Sequence, residues 1–137
     1  MRKRFVIYGM VGLCMEIFWT GMGSLINGNL RLIGQSNIWM FFIYGMAIFL
    51  EPIHTLLNGW SVILRGGVYT LLIFITEYFT GWFLQLCIGV CPWLYTDSLN
   101  VNGLITLSYI PIWFIVGLSF EKLHFFLSKV YIKNTNP

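Results

Sequence analysis

GVYTLLIFITEYFTGWFLQL, residues 67–86, decides the fold. The run holds one formal charge, Glu77, and shows no alternation of polar and apolar residues. A helix rises about 1.5 Å per residue, so about 20 apolar residues cross a hydrocarbon layer about 30 Å thick. In lipid every backbone N–H and C=O must find a partner within the protein, and a helix meets that demand inside one segment. Strands of a membrane barrel would instead alternate over about 10 residues. The run therefore predicts a membrane-spanning helix.

Outward from it, residues 5–26, 38–57 and 104–126 are also long and apolar enough to span. The expected architecture is all-α, an integral membrane four-helix bundle forming a single transmembrane domain over residues 1–137. Composition agrees. The chain is 58% hydrophobic and 9% charged, against about 25% charged in soluble domains. A soluble chain of 137 residues has too much surface for its volume to bury so much apolar area. Arg2-Lys3-Arg4 ahead of an apolar run imitates a signal peptide. Residues 5–26 exceed an h-region of about 7–15 residues, however, and no A-x-A site follows, so the segment reads as a retained first helix.

Several function classes are excluded. The net charge of +3 sits at segment ends and forms no patch interleaved with aromatics, so nucleic acid is not an expected partner. Cys14, Cys87 and Cys91 are an odd count without a disulfide framework. Cys87 and Cys91, four residues apart, have poor geometry for a bond. With neither a phosphate-cradling Gly-rich loop nor an elbow serine, no enzyme activity is expected.

Basic residues set the expected orientation. Arg2, Lys3, Arg4, Arg65, Lys122, Lys129 and Lys133 fall at the N-terminus, the second loop and the C-terminal end, and Arg31 alone falls opposite. Cytoplasmic loops carry the excess of Lys and Arg, so both termini are expected on the cytoplasmic side of the cell membrane. Trp60 would then sit at the inner interface, with Trp39 and Trp93 at the outer one.

The halves resemble each other. Ser36 to Gly45 followed by Glu51-Pro-Ile-His54 compares with Ser108 to Gly117 followed by Glu121-Lys-Leu-His124. Glu16 precedes Thr20-Gly21 as Glu77 precedes Thr80-Gly81. This pattern predicts a 2+2 parallel internal repeat about an axis along the membrane normal.

The glutamates carry the functional information. Glu16, Glu51, Glu77 and Glu121 all fall within the spans, and Asp97 is the only acid outside them. An acid near the bilayer centre costs about 2.5–3.5 kcal/mol on insertion scales. Counting from the span ends, Glu16 and Glu77 lie about 18 Å deep, and Glu51 and Glu121 about 11–12 Å. Helical side chains lean toward their own N-terminus, so the four carboxyls are expected to meet at one level, with His54 and His124 a turn below.

Three readings follow. The acids form a proton, cation or substrate site of a transporter. Alternatively, Glu51, His54, Glu121 and His124 are candidates for a divalent metal, because Glu from two helices with Glu-x-x-His from two others is a di-metal pattern. Or protonated acids hydrogen-bond to Thr20, Thr76, Thr80 or Ser119 and hold the helices together. Thr20, Thr80, Trp19, Trp82 and Arg31 are the supporting residues. Pro52 and Pro111 are expected to kink their helices and free backbone carbonyls.

Glu16-Ile-Phe-Trp19-Thr20-Gly21, Leu30-Arg31-Leu32-Ile33-Gly34-Gln35-Ser36, Phe49-Leu50-Glu51-Pro52-Ile53-His54, Glu77-Tyr78-Phe79-Thr80-Gly81-Trp82 and Cys91-Pro92-Trp93 resemble a bacterial family of putative ABC-transporter type IV permeases. The transmembrane protein 229 family looks similar. The resemblance covers nearly the whole chain. Leu94 and Ser108 stand where relatives tend to carry polar or acidic residues. The resemblance implies a separate ATPase partner and supports Glu16, Glu51 and Glu77 as site residues.

The leading expectation is a small permease-like transporter or transporter subunit in the lipid bilayer. So small a bundle has little room for a pathway, so a homo-oligomer is expected. A non-transporting protein that binds a partner is the alternative, and a membrane metal-binding protein the third. No resident cofactor is expected.

Overall fold

A computed structural model describes the backbone of residues 2–135 and the side chains of residues 2–130. Lys133, counted in the charge asymmetry, lies outside the described side chains. Helix α1 runs over Arg2–Ile26. It ends at Asn27-Gly28, where Gly28 takes a φ of 81° that side chains disfavour. The second span opens with α2, Ile38–Gly45, tightens into a 3-10 stretch over Met46–Leu50 and closes with α3, Glu51–Leu56. Pro52 has no N–H for the ladder, and its ring crowds the carbonyl four residues back, at Ile48. The α-helix therefore gives way to 3-10 geometry just ahead of it, where the sequence pattern predicts a kink.

Helix α4, Val62–Ile88, starts five residues before the expected Gly67. The Ser61 hydroxyl caps it by accepting from the Leu64 N–H at 3.4 Å. Arg65 therefore belongs to the first turn of α4 and not to a loop. At the other end Gly89, with φ 76°, donates its N–H to the Gln85 carbonyl. Helix α5 covers Ile110–Thr135. Pro111 occupies its first turn, where the missing N–H has no intrahelical acceptor to lose, so no kink is needed.

Arg2–Ile26, Ile38–Leu56, Val62–Ile88 and Leu107–Val130 are each long and apolar enough to cross a membrane. The expectation of an all-α protein with four spans is borne out, and the chain is a multi-pass membrane protein. A feature absent from that expectation lies between α4 and α5. Strand β1, Asn100–Val101, pairs antiparallel with β2, Ile105–Thr106. Asn102 and Gly103 take φ of 53° and 71°, and the Leu104 N–H returns to the Val101 carbonyl at 3.0 Å. This is the hairpin turn for which an Asn-Gly pair is suited.

The chain forms two compact units, Met1–Leu50 and Glu51–Pro137. In the first, α1 and α2 close on glycine. A Cβ at Gly9 would stand 2.7 Å from the Phe41 ring, one at Gly12 would overlap Tyr44, and one at Gly45 would stand 2.5 Å from the Phe5 ring. In the second, a Cβ at Gly66 would overlap Phe114, and one at Gly117 would stand 2.5 Å from the Tyr69 Cβ. Small residues let membrane helices approach closely, and dispersion contacts between the approaching surfaces then hold them together.

Candidate functional site

The second unit gathers six polar side chains from three helices. α3 supplies Glu51 and His54, α4 supplies Arg65 and Tyr69, and α5 supplies Glu121 and His124. Spacing explains the grouping. Glu51 and His54, like Glu121 and His124, are three residues apart, and Arg65 and Tyr69 four apart, so each pair shares one helix face.

Glu121 is the centre of this cluster and is only 6% exposed. The Tyr69 hydroxyl donates to its Oε2 at 2.5 Å. The Arg65 Nε stands 3.5 Å from the same oxygen, an ion pair largely withdrawn from the surface. The His124 Nδ1 lies 3.4 Å from the Glu51 Oε1. Between them sits His54, fully buried, its ring edge-to-face with Tyr69 at 4.9 Å and 5.5 Å from the His124 ring. Neither ring nitrogen of His54 has a hydrogen-bond partner. Buried polar groups are nearly always satisfied, so this residue demands an explanation.

A second acid stands apart in the same unit. Glu77 is buried and accepts from the Tyr95 hydroxyl at 2.6 Å. The Tyr95 ring meets that of Tyr109 at 5.2 Å, and Tyr109 meets Trp113 at 6.0 Å. Eight residues of α4 separate Glu77 from Tyr69, about 12 Å along the axis. The acids of this unit thus occupy two levels, in place of the single level that side-chain lean predicted. The reason is specific: Tyr69 and Arg65 hold Glu121 toward the start of α4, while Tyr95 holds Glu77 toward its end.

The loop beyond Glu77 is tied down by its own polar groups. Asp97 Oδ2 accepts from the Thr106 hydroxyl at 2.5 Å and the Ser108 hydroxyl at 2.7 Å. These bonds, Thr106 first, hold its carboxyl below the ordinary range. The Asn102 amide donates to the Tyr78 hydroxyl at 2.9 Å, and the Trp93 indole to the Leu104 carbonyl at 2.9 Å. The Cys91 sulfur packs at Gly81, six residues and about 9 Å below Cys87 on α4. All three cysteines are free thiols, and burial pushes that of Cys91 up.

In the first unit Glu16 lies within hydrogen-bonding reach of the Ser36 and Tyr44 side chains. Thr20 does not serve it. Its hydroxyl donates to main-chain carbonyls, among them Gln35 at 2.9 Å, and accepts from the Gln35 N–H at 2.8 Å. Thr80, Thr76 and Ser119 likewise donate to carbonyls of their own helices. The acids therefore find tyrosines, a serine, an arginine and a histidine where the sequence pattern pointed to threonines. Trp19 and Trp82 are half exposed on the outer faces of their helices, and Arg31 is exposed, its N–H bonded to the Asn29 side chain. Among the described residues no group of three or more His, Cys, Asp or Glu stands close enough to hold a metal ion.

The partners that sequence reasoning missed left faint signals. Arg65 was assigned to the second loop, because the expected span began at Gly67. Tyr69, Tyr95 and Tyr109 were not singled out, since tyrosine is common in apolar spans and at their ends. Only the distances separate a tyrosine that donates to an acid from one that faces lipid.

No solved structure matches this chain. The family described as putative ABC-transporter type IV matches residues 4–136, almost from end to end. With four membrane-length helices and that match, the chain belongs to the putative ABC-transporter type IV family.

Proposed function

We propose that the protein is the membrane-embedded subunit of a transporter, with both termini on the cytoplasmic side of the cell membrane and ATP hydrolysis supplied by a separate chain. The family membership supports the transporter class. The basic residues at the N-terminus, in α4's first turn and near the end of α5 support the orientation. The absence of a nucleotide-binding motif supports a separate ATPase. Four spans enclose little space, which favours a homo-oligomer.

The observation that carries the reading is the cluster around Glu121. A charged group inside a span costs about 2.5–3.5 kcal/mol. A purely apolar scaffold would have no use for two acids, an arginine and two histidines on α3, α4 and α5. Glu121 and Glu51 act as the charge-bearing site, with Arg65 as the counter-charge and His124 as the partner of Glu51 that a proton, cation or substrate group displaces in turn. The metal reading has the least support, since the acids are already engaged by Tyr69, Arg65 and His124.

The test is flux into liposomes by protein extracted gently enough to keep its partner. Glu121→Gln should abolish flux while leaving extraction and assembly intact. Undiminished flux would remove Glu121 from the mechanism. A second reading, a non-transporting assembly protein, draws on the same hydrogen bonds as interhelical ties. It predicts a recovered partner and no flux from the unaltered protein.

A further inference from the structure

Among the described residues of the second unit, the His54 ring nitrogens, the Trp113 indole N–H and Glu77 Oε2 are buried without a hydrogen-bond partner, and His54 and Trp113 make no other polar contact. His54 is fully buried with both ring nitrogens unbonded. Trp113 is 7% exposed, and its indole N–H has no acceptor. An indole N–H can only donate. A buried donor left unmade is costly, so two such groups in one unit call for an occupant.

Their placement is ordered. Trp113 lies one turn of α5 from Tyr109, which reaches Glu77 through Tyr95. It lies one turn in the other direction from Gly117, which abuts Tyr69. Tyr69 in turn carries Glu121 and packs against His54. Polar atoms therefore recur from Glu77 through Trp113 to Tyr69, Glu121 and His54, in a unit whose core also holds Phe74 and Phe120.

We infer that the α4–α5 seam binds a file of internal water molecules that link the Glu77 level to the Glu121 level, hydrogen-bonded by Trp113 and His54. The ligand class follows from the donors and acceptors. An occupant must accept from an indole N–H, reach carboxylates and tyrosine hydroxyls, and use either nitrogen of an imidazole. Water does all of these, and buried water typically makes about three such bonds to groups left unsatisfied. An apolar occupant such as a lipid chain would satisfy none of them. Such a file would be the route of the transporter proposed above, and in that respect it rests on that reading.

The test is magnetic resonance of the intact protein in lipid nanodiscs with labelled tryptophan and histidine. The chain has only two histidines and six tryptophans, so single substitutions such as Trp113→Phe and His124→Gln assign the signals. The Trp113 indole N–H should exchange with D2O at least tenfold faster than the backbone N–H of Gly117, and the His54 ring should show direct magnetisation transfer from water. Protection of the Trp113 N–H equal to that of the Gly117 amide, or absence of water transfer to His54, would overturn the seam. The outcomes separate from those for transport. A dry seam in a protein that moves solute removes the water file alone. A wet seam in a protein with no flux removes the transporter reading and leaves the file.

Discussion

Gly12 yields to Tyr44 and Gly9 to Phe41 in the first unit; Gly66 yields to Phe114 and Gly117 to Tyr69 in the second. Each unit thus closes a helix pair by laying an aromatic residue over a glycine. Their acids are settled differently. Glu16 has neutral company, the Ser36 and Tyr44 side chains. Glu121 has a neutral donor in Tyr69 and a full counter-charge in Arg65, and Glu51 has His124. Close packing is therefore the common requirement of a helix pair in lipid, while the Arg65–Glu121 ion pair belongs to the second unit. Hydroxyls hold Glu16, whereas an arginine and two histidines surround Glu121 and Glu51, which is why the function proposed above is placed in the second unit.

The sharpest break in the comparison is Arg65→Ala. Removing one partner of a buried ion pair strands the other, at about 3–5 kcal/mol. Thermal unfolding in nanodiscs should show a large fall, mostly restored by adding Glu121→Gln, which removes the stranded charge. Tyr44→Phe beside Glu16 should cost only about 0.5–1.5 kcal/mol, the net worth of an ordinary hydrogen bond. Equal losses in the two variants would show that the units do not differ in the way their contacts imply.

A matched pair of glycine substitutions probes what the units share. Gly12→Ala drives a methyl into the Cβ and ring of Tyr44, and Gly117→Ala drives one toward the Tyr69 Cβ at 2.5 Å. Neither neighbour is a flexible tip, so the helices must part, at about 1–3 kcal/mol for an overpacked contact. Gly67→Ala, with nothing within 4 Å of the added methyl, should be neutral or stabilising through helix propensity. Gly117→Ala should also lengthen the Tyr69–Glu121 bond, so that flux falls with stability, whereas Gly12→Ala should lower stability alone.

These contrasts mark how far the sequence could be read. Four spans were legible because twenty apolar residues have few alternatives, and the acids stood out because lipid makes them costly. The start of α4 was not, since the charge of Arg65 set the expected span to begin at Gly67, whereas Ser61 ahead of Val62-Ile63-Leu64 supplies a cap that starts the helix earlier. That misplacement hid Arg65 as the partner of Glu121. The separation into two levels was illegible for another reason. Side-chain lean gives directions along one helix, but which donor captures a carboxyl depends on the neighbouring helix. The Asn102-Gly103 hairpin was visible in principle, because that dipeptide favours the turn found there, but Leu104 and Ile105 looked like the start of a span.

The smallest expected effect concerns the loop that closes the second unit. Asp97 accepts from Thr106 and Ser108, and these bonds favour its ionised form, so its folded value lies below the ordinary 3.8. A carboxylate depressed in this way lends stability at any pH above 3.8 and loses it as pH falls through the lowered folded value. Local opening of the β1–β2 hairpin, followed by amide exchange at Asn100 and Leu107, should therefore be flat near neutrality and rise only in strong acid. Ser108→Ala removes one of the two hydroxyls, and should move that rise toward higher pH while leaving the Arg65–Glu121 pair unchanged. The first unit has no acid in its connecting segment, residues 27–37, so amide exchange there should show no such acid-dependent rise. If acid loosens both connections equally, Asp97 is not what holds the hairpin, and the turn itself, with Asn102 and Gly103 at positive φ, carries the closure alone.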